Sequence, residues 1–108
     1  MVNVSLLKVD GHSMHPAIKS GVFVLVWRWQ MGQYQQRLQV GDIIAVEHGH
    51  YGKIIKRICE VDLDSNGRVR ELRLRGDNEL ASISEAKIGW VSVESVIGRV
   101  VYVVKARS

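Results

Sequence analysis

Residues 9–18 read Val-Asp-Gly-His-Ser-Met-His-Pro-Ala-Ile. Gly11 lets the backbone bend tightly two residues before Ser13, and Pro16 follows three residues later, where its fixed φ suits the start of a helical turn. A serine at such a bend presents its hydroxyl beside free backbone N–H groups, the layout of a nucleophile next to an oxyanion site. Near neutral pH the hydroxyl also needs a base. Lys56 is the candidate. Alternation along residues 53–63 sends Ile54, Lys56 and Ile58 to one face and Ile55, Arg57, Cys59, Val61 and Leu63 to the other. An ammonium flanked by isoleucines is desolvated, which lowers its pKa and frees the neutral amine as a base. Lys53 has the opposite parity and stands at the strand's start, so it is the weaker candidate. Taken singly, Gly-x-Ser is an ordinary turn and Lys56 reads as an edge lysine snorkelling to water.

Five segments in order add to this pair: Gly-His-Ser-Met-His-Pro-Ala-Ile-Lys-Ser-Gly from Gly11, Gly-Asp-Ile-Ile-Ala-Val from Gly41, Lys-Ile-Ile-Lys-Arg-Ile from Lys53, Arg-Gly-Asp-Asn from Arg75 and Val-Ile-Gly-Arg-Val-Val from Val96. The series resembles the serine peptidases of the signal-peptidase and LexA superfamily, over residues 9–104. It is most similar to small, anchorless signal-peptidase-like maturation proteases, such as those that trim the pro-sequence of nickel-type superoxide dismutase. The resemblance implies a coiled all-β assembly of the LexA/signal-peptidase type. It makes Ser13 the nucleophile and Lys56 the general base of a Ser/Lys dyad. Gly76, Asp77 and Asn78 match the family's third box, and Ser82, six residues after Gly76, matches a serine that orients the catalytic lysine.

The chain departs from that pattern at several positions. Where signal peptidases continue with Asp-Ser-Arg, it has Ser84, Glu85 and Ala86, so an acid–arginine support pair is missing. Gly11 stands where some signal peptidases place a second oxyanion serine, which leaves the oxyanion to backbone N–H groups, chiefly that of Ser13. The family's membrane anchor is absent from the sequence. Gly11, Met14, Ile54 and Ile58 are expected to line the oxyanion site and the substrate pocket. So small a pocket selects alanine or glycine just before the cut, as the resemblance also implies.

Two functions compete on this reading. One is a soluble endopeptidase that trims a partner protein. The other is a LexA/UmuD-like autoprotease or dimerising regulatory domain, with a homodimer expected. Self-cleavage in that branch uses a peptide well upstream of the serine, and only twelve residues precede Ser13.

The elements that must position these residues read as strands. Residues 2–9 open with alternation, and 22–27 form an apolar run behind Gly21. Residues 43–46 follow the turn pair Gly41-Asp42, and 53–63 alternate up to the turn Ser65-Asn66-Gly67. Residues 69–75 return, and 96–104 are β-branched and apolar. Only 14–20 look briefly helical. The pattern predicts an all-β fold in one domain spanning 1–108. Residues 28–40 carry five glutamines and read as a long connection or hairpin tip, on which Trp27, Trp29, Met31 and Tyr34 form an exposed platform or pack back on the domain.

Composition narrows the classes further. The 108 residues suffice for one core, and 46% hydrophobic with 24% charged residues is ordinary for a globular chain. The single cysteine, Cys59, excludes an internal disulfide and points to a reducing compartment, the cytoplasm. By parity Cys59 faces away from Lys56, as a small buried hydrophobe. No apolar run reaches the ~20 residues of a membrane span, and no signal-peptide core opens the chain. The net charge of +4 is spread evenly over both halves, and the cluster Arg68, Arg70, Arg73 and Arg75 reads as a solvated strand face, so no nucleic-acid partner is expected. His12, His15, His48 and His50 lack the partners of a usual metal site and read as surface loop histidines, with no cofactor expected.

Overall fold

The computed structural model describes residues 3–28, 38–78 and 85–104. They form an all-β fold, a seven-stranded antiparallel sheet curled into a half-barrel. The strands are β1 (Asn3–Lys8), β2 (Phe23–Arg28), β3 (Ile43–His48), β4 (Gly52–Leu63), β5 (Val69–Arg75), β6 (Trp90–Ser92) and β7 (Val96–Val104). Their order across the sheet is β1-β2-β7-β3-β4-β5-β6. One helical turn, α1 (Glu85–Ile88), and a 3₁₀ turn over Val93–Ser95 are the helical pieces among the described residues. None of the described helices is long and apolar enough to cross a membrane.

The alternating and β-branched runs become strands as their patterns predict. β6, three residues long, is too short to show a period. The expected helical stretch at 14–20 is a chain of turns holding one i→i−4 bond, from the Ile18 N–H to the Met14 carbonyl at 2.9 Å. Gly11 and Gly21 bracket it in the left-handed region, at φ 92° and 89°, so the chain turns in and out within one loop and a longer helix has no room. The loop is nonetheless structural, because Met14 and Ile18 are each 1% exposed.

Apolar side chains collect in two clusters. One joins Val9, Met14 and Ile18 to Val24, Val26 and Ala45, with Leu7, Ile43, Ile55, Ile97 and Val100 packed against it. The other gathers Ile44, Val46, Ile58, Leu72, Leu74, Ile88 and Val91, with Ile54 and Val61 against it. Neighbours along β3 and β4 alternate between the clusters, so these central strands are covered on both faces. Register shifts between Leu25 and Val26, Ala45 and Val46, and Ile58 and Glu60 lie where the sheet curls.

The shift at Ile58/Glu60 corrects the parity expected for the far half of β4. Val61 packs in the same cluster as Ile58 rather than on the opposite face, because the bulge inserts one residue and reverses the alternation. Cys59 lies in this bulge, half-buried, with its thiol donating to the Arg73 carbonyl at 3.3 Å. The arginine cluster is a solvated hairpin face. Arg70 pairs with Asp62, and Arg73 with Glu60 at 3.4 Å, across β4 and β5. Trp27 lies half-buried in β2, while Trp29, Met31 and Tyr34 fall outside the described residues.

Candidate active site

β4 carries Lys56 into the interior. In register its Cα partner is Ile44 of β3, and its neighbours on that face, Ile54 and Ile58, belong to the second cluster. At 3% exposure Lys56 is the one buried charged side chain among the described residues. Desolvation by this burial holds its amine below the ordinary lysine value of 10.5.

Ser13 reaches the same place from the other side. The turn beginning at Gly11 carries it over the strand ends, with the Gly11 N–H donating to Ser20 Oγ at 3.1 Å across the loop. A cleft of about 440 Å³ is lined by Leu7 to Met14 of β1 and its turn and by Lys53 to Lys56 of β4. Ser13 and Lys56, forty-three residues apart in the chain, thus line the same cleft from its two walls. Gly11, Met14 and Ile54 line it too, and so does Lys53. Ile58 does not line the cleft. It is 1% exposed within the core cluster, two residues beyond the end of the wall.

Both walls are open strand edges. Among the described residues β1 ends the sheet and pairs with β2 alone. β4 pairs with β3 over Gly52–Arg57, but its ladder to β5 begins only at Arg57. Alternate residues of β4 bond toward β3, as the Ile58 N–H does to the Asp42 carbonyl, so the backbone groups of Lys53 and Ile55 are the ones that face the cleft side ahead of the β5 ladder.

The Gly76–Asn78 segment ties the two walls together. Arg57, the residue after Lys56, donates from Nε and Nη2 to the two carboxylate oxygens of Asp77 at 2.8 and 2.7 Å. The bidentate pair keeps the Asp77 carboxyl below its ordinary range and raises the Arg57 guanidinium. Nη1 of Arg57 also donates to the Gly41 carbonyl at 2.7 Å, anchoring the turn before β3. Asn78, next to Asp77, grips the serine turn twice. Its backbone N–H donates to the Ser13 carbonyl at 2.7 Å, and its side-chain Nδ2 donates to the His12 carbonyl at 3.0 Å. The chain of contacts runs Lys56–Arg57, Asp77–Asn78, His12–Ser13, linking the strand of Lys56 to the turn of Ser13. Gly76 at its head is buried.

Sequence reasoning singled out Asp77 and Asn78 as a box without a role, and gave Arg57 none. The legible signal was the complementary charge of two boxes already noticed. Ser82 and Ser84 lie outside the described residues. Glu85 and Ala86 open α1. Of the histidines, His12, His15 and His50 are exposed, but His48 is half-buried at the end of β3 and corrects its reading as a surface loop residue. No group of three or more His, Cys, Asp or Glu side chains placed to hold a metal occurs among the described residues.

No protein-family model matches the chain, and no curated protein matches it significantly.

Proposed function

We propose that this chain is a serine endopeptidase in which Ser13 and Lys56 form a Ser/Lys dyad that makes a limited cut in a partner protein. The observation that carries the reading is a buried lysine of lowered pKa in the wall of the same cleft as a serine on a braced turn. The half-barrel then belongs to the coiled LexA/signal-peptidase type.

In this reading the substrate lies extended in the cleft and adds as a strand to the open edges of β1 and β4. The neutral Lys56 amine takes the proton from Ser13 Oγ as the oxygen attacks the scissile carbonyl, with backbone N–H groups at the serine turn receiving the oxyanion. The resulting ammonium gives its proton to the departing amine, leaving an acyl-serine. A water molecule, deprotonated by the same amine, attacks this ester; the acid product leaves and Ser13 regains its proton. Met14 and Ile54 narrow the cleft beside the serine, so alanine or glycine is favoured just before the cut. A chain with one cysteine suits a reducing compartment, so the proposed setting is the cytoplasm.

The test is incubation of the protein with an extended-peptide library and candidate pro-proteins, read by intact mass. Cleavage after small residues, abolished by Ser13→Ala, is expected. A wild-type protein that cuts nothing, or one whose cutting survives Ser13→Ala, overturns the reading. A preference for large aromatic or basic residues before the cut defeats the pocket assignment alone.

A further inference from the structure

The cleft's β4 wall begins at a turn whose geometry depends on one histidine. His48 is the last residue of β3, and its Cα partner Gly52 is the first of β4. The backbone N–H groups of His50 and Tyr51 both donate to His48 Nδ1, at 3.0 and 3.2 Å. On the other side of the ring Nε2 lies 3.0 Å from the Ile88 carbonyl at the end of α1. Two donors converging on Nδ1 require it to be an unprotonated acceptor, and a carbonyl facing Nε2 requires a proton there. The three contacts are mutually consistent in one form only, the neutral Nε2–H tautomer.

We propose that His48 is a proton-sensitive latch for the β3–β4 turn. A proton added at Nδ1 converts the acceptor into a third donor facing two others. Both turn hydrogen bonds are then lost, and the ring has to rotate away from the His50 and Tyr51 amides. The Ile88 carbonyl accepts from the charged ring as it does from the neutral one, so the turn amides are what register the proton. The turn carries little to replace them. Gly49 and Gly52 flank it, Gly52 at φ 71°, and the Tyr51 ring lies tilted against His48 and edge-on to His50, at centroid distances of 5.0 and 4.6 Å. The titratable groups near the ring on the elements around it are Glu47 on β3, His50 and Tyr51 in the turn, Lys53 at the start of β4, Glu85 and Lys87 on α1, and Glu94 in the 3₁₀ turn packed on β3. His50 is exposed, and the acceptor of the two turn bonds is His48 Nδ1. A proton on the ring thus loosens the strand entry four residues before Lys56.

The latch does not depend on peptidase activity and is tested without turnover. Nitrogen-15 shifts of the His48 ring on the intact chain should show Nδ1 as the bare nitrogen and Nε2 as the protonated one above the titration. Hydrogen-exchange protection of the His50 and Tyr51 amides, corrected for the intrinsic pH dependence, should fall roughly threefold or more as the ring takes up its proton. His48→Asn keeps a side-chain oxygen that accepts from the residues two and three ahead and has no proton to gain. In that variant protection should be flat across the same pH range. Should His48→Asn fail to fold, the wild-type ring shifts and the pH dependence of the wild-type amide protection still decide. A ring protonated at Nδ1 at neutral pH, or wild-type protection as flat as that of His48→Asn, overturns the latch.

Discussion

Lys56 shows how much one side chain's setting controls. Its amine titrates below 10.5 because water is withdrawn from it. Two pH effects follow with definite signs. A dyad base works neutral, so kcat/KM should rise with pH through the lowered Lys56 value. The unfolded chain, with an ordinary lysine, binds a proton over the window between that lowered value and 10.5, where the folded chain does not. Stability therefore rises with pH across this window, and below it the buried charge is a standing cost. Lys56→Met should thus abolish cleavage, roughly 10⁴-fold or more, while raising the melting temperature at neutral pH and flattening its pH dependence in that window. Lys53→Met, at an exposed position of the same strand, should leave both nearly unchanged. Thermal melts and peptide turnover on the two variants separate the roles; activity lost in Lys53→Met but kept in Lys56→Met would refute the parity assignment.

At the scale of elements, the brace between β4, the Gly76–Asn78 segment and the serine turn does the positioning. The Arg57–Asp77 pair is part-exposed, at 35% and 21% of the side chains, so solvent screens it and its loss should cost only about 1 kcal/mol. Its contribution to stability is present above the ordinary carboxyl value of 3.8 and fades as pH falls through the lowered Asp77 value. Its effect on activity should be larger, because the two halves of the proposed dyad come from elements that no β-ladder among the described residues joins directly. Asp77→Asn should lower kcat roughly ten- to a hundredfold with a small change in urea midpoint. Asn78→Ala removes the Nδ2 bond to the His12 carbonyl and leaves the backbone bond to Ser13. It should lower kcat roughly tenfold with KM little changed. Equal proportional losses of stability and activity in both variants would show the segment to be a fold element without a positioning role.

The whole molecule is held at β7, the strand that β2 and β3 flank. Gly98 is the Cα partner of both Arg28 and Ala45, and its chain neighbours Val96 and Ile97 pack against different clusters. A Cβ at this position would meet the Trp27 carbonyl oxygen and lie 2.8 Å from both the Trp27 carbonyl carbon and Val26 Cγ1. Those are backbone and packed core atoms, which cannot swing aside. Gly98→Ala should cost about 1–3 kcal/mol or more, read as a lower urea midpoint. Because β7 is shared, protection in both clusters should fall together, and a loss confined to one cluster would contradict a common keystone.

What the chain determined by itself is local. The runs at 22–27, 43–46, 53–63, 69–75 and 96–104 carry their strand signal in periods of two and in β-branched composition, both readable within a few residues. Ser13 at its bend and Lys56 between isoleucines were legible in the same way, since turn chemistry and parity act over two or three positions. Tertiary structure decided whatever depends on distant partners. It paired β7 between β2 and β3, strands far from it in sequence, and opened the β4 edge before Arg57. It placed a bulge at Cys59, which reversed the parity of Val61 and which no alternation pattern announces. It joined Arg57 to Asp77 across twenty residues and Asn78 to His12 across sixty-six. It turned His48 from one histidine among four into a ring held by three contacts. The physical reason is the same in each case: hydrogen-bond donors, acceptors and charges are visible in a sequence, but which of them meet is set by the curl of the sheet.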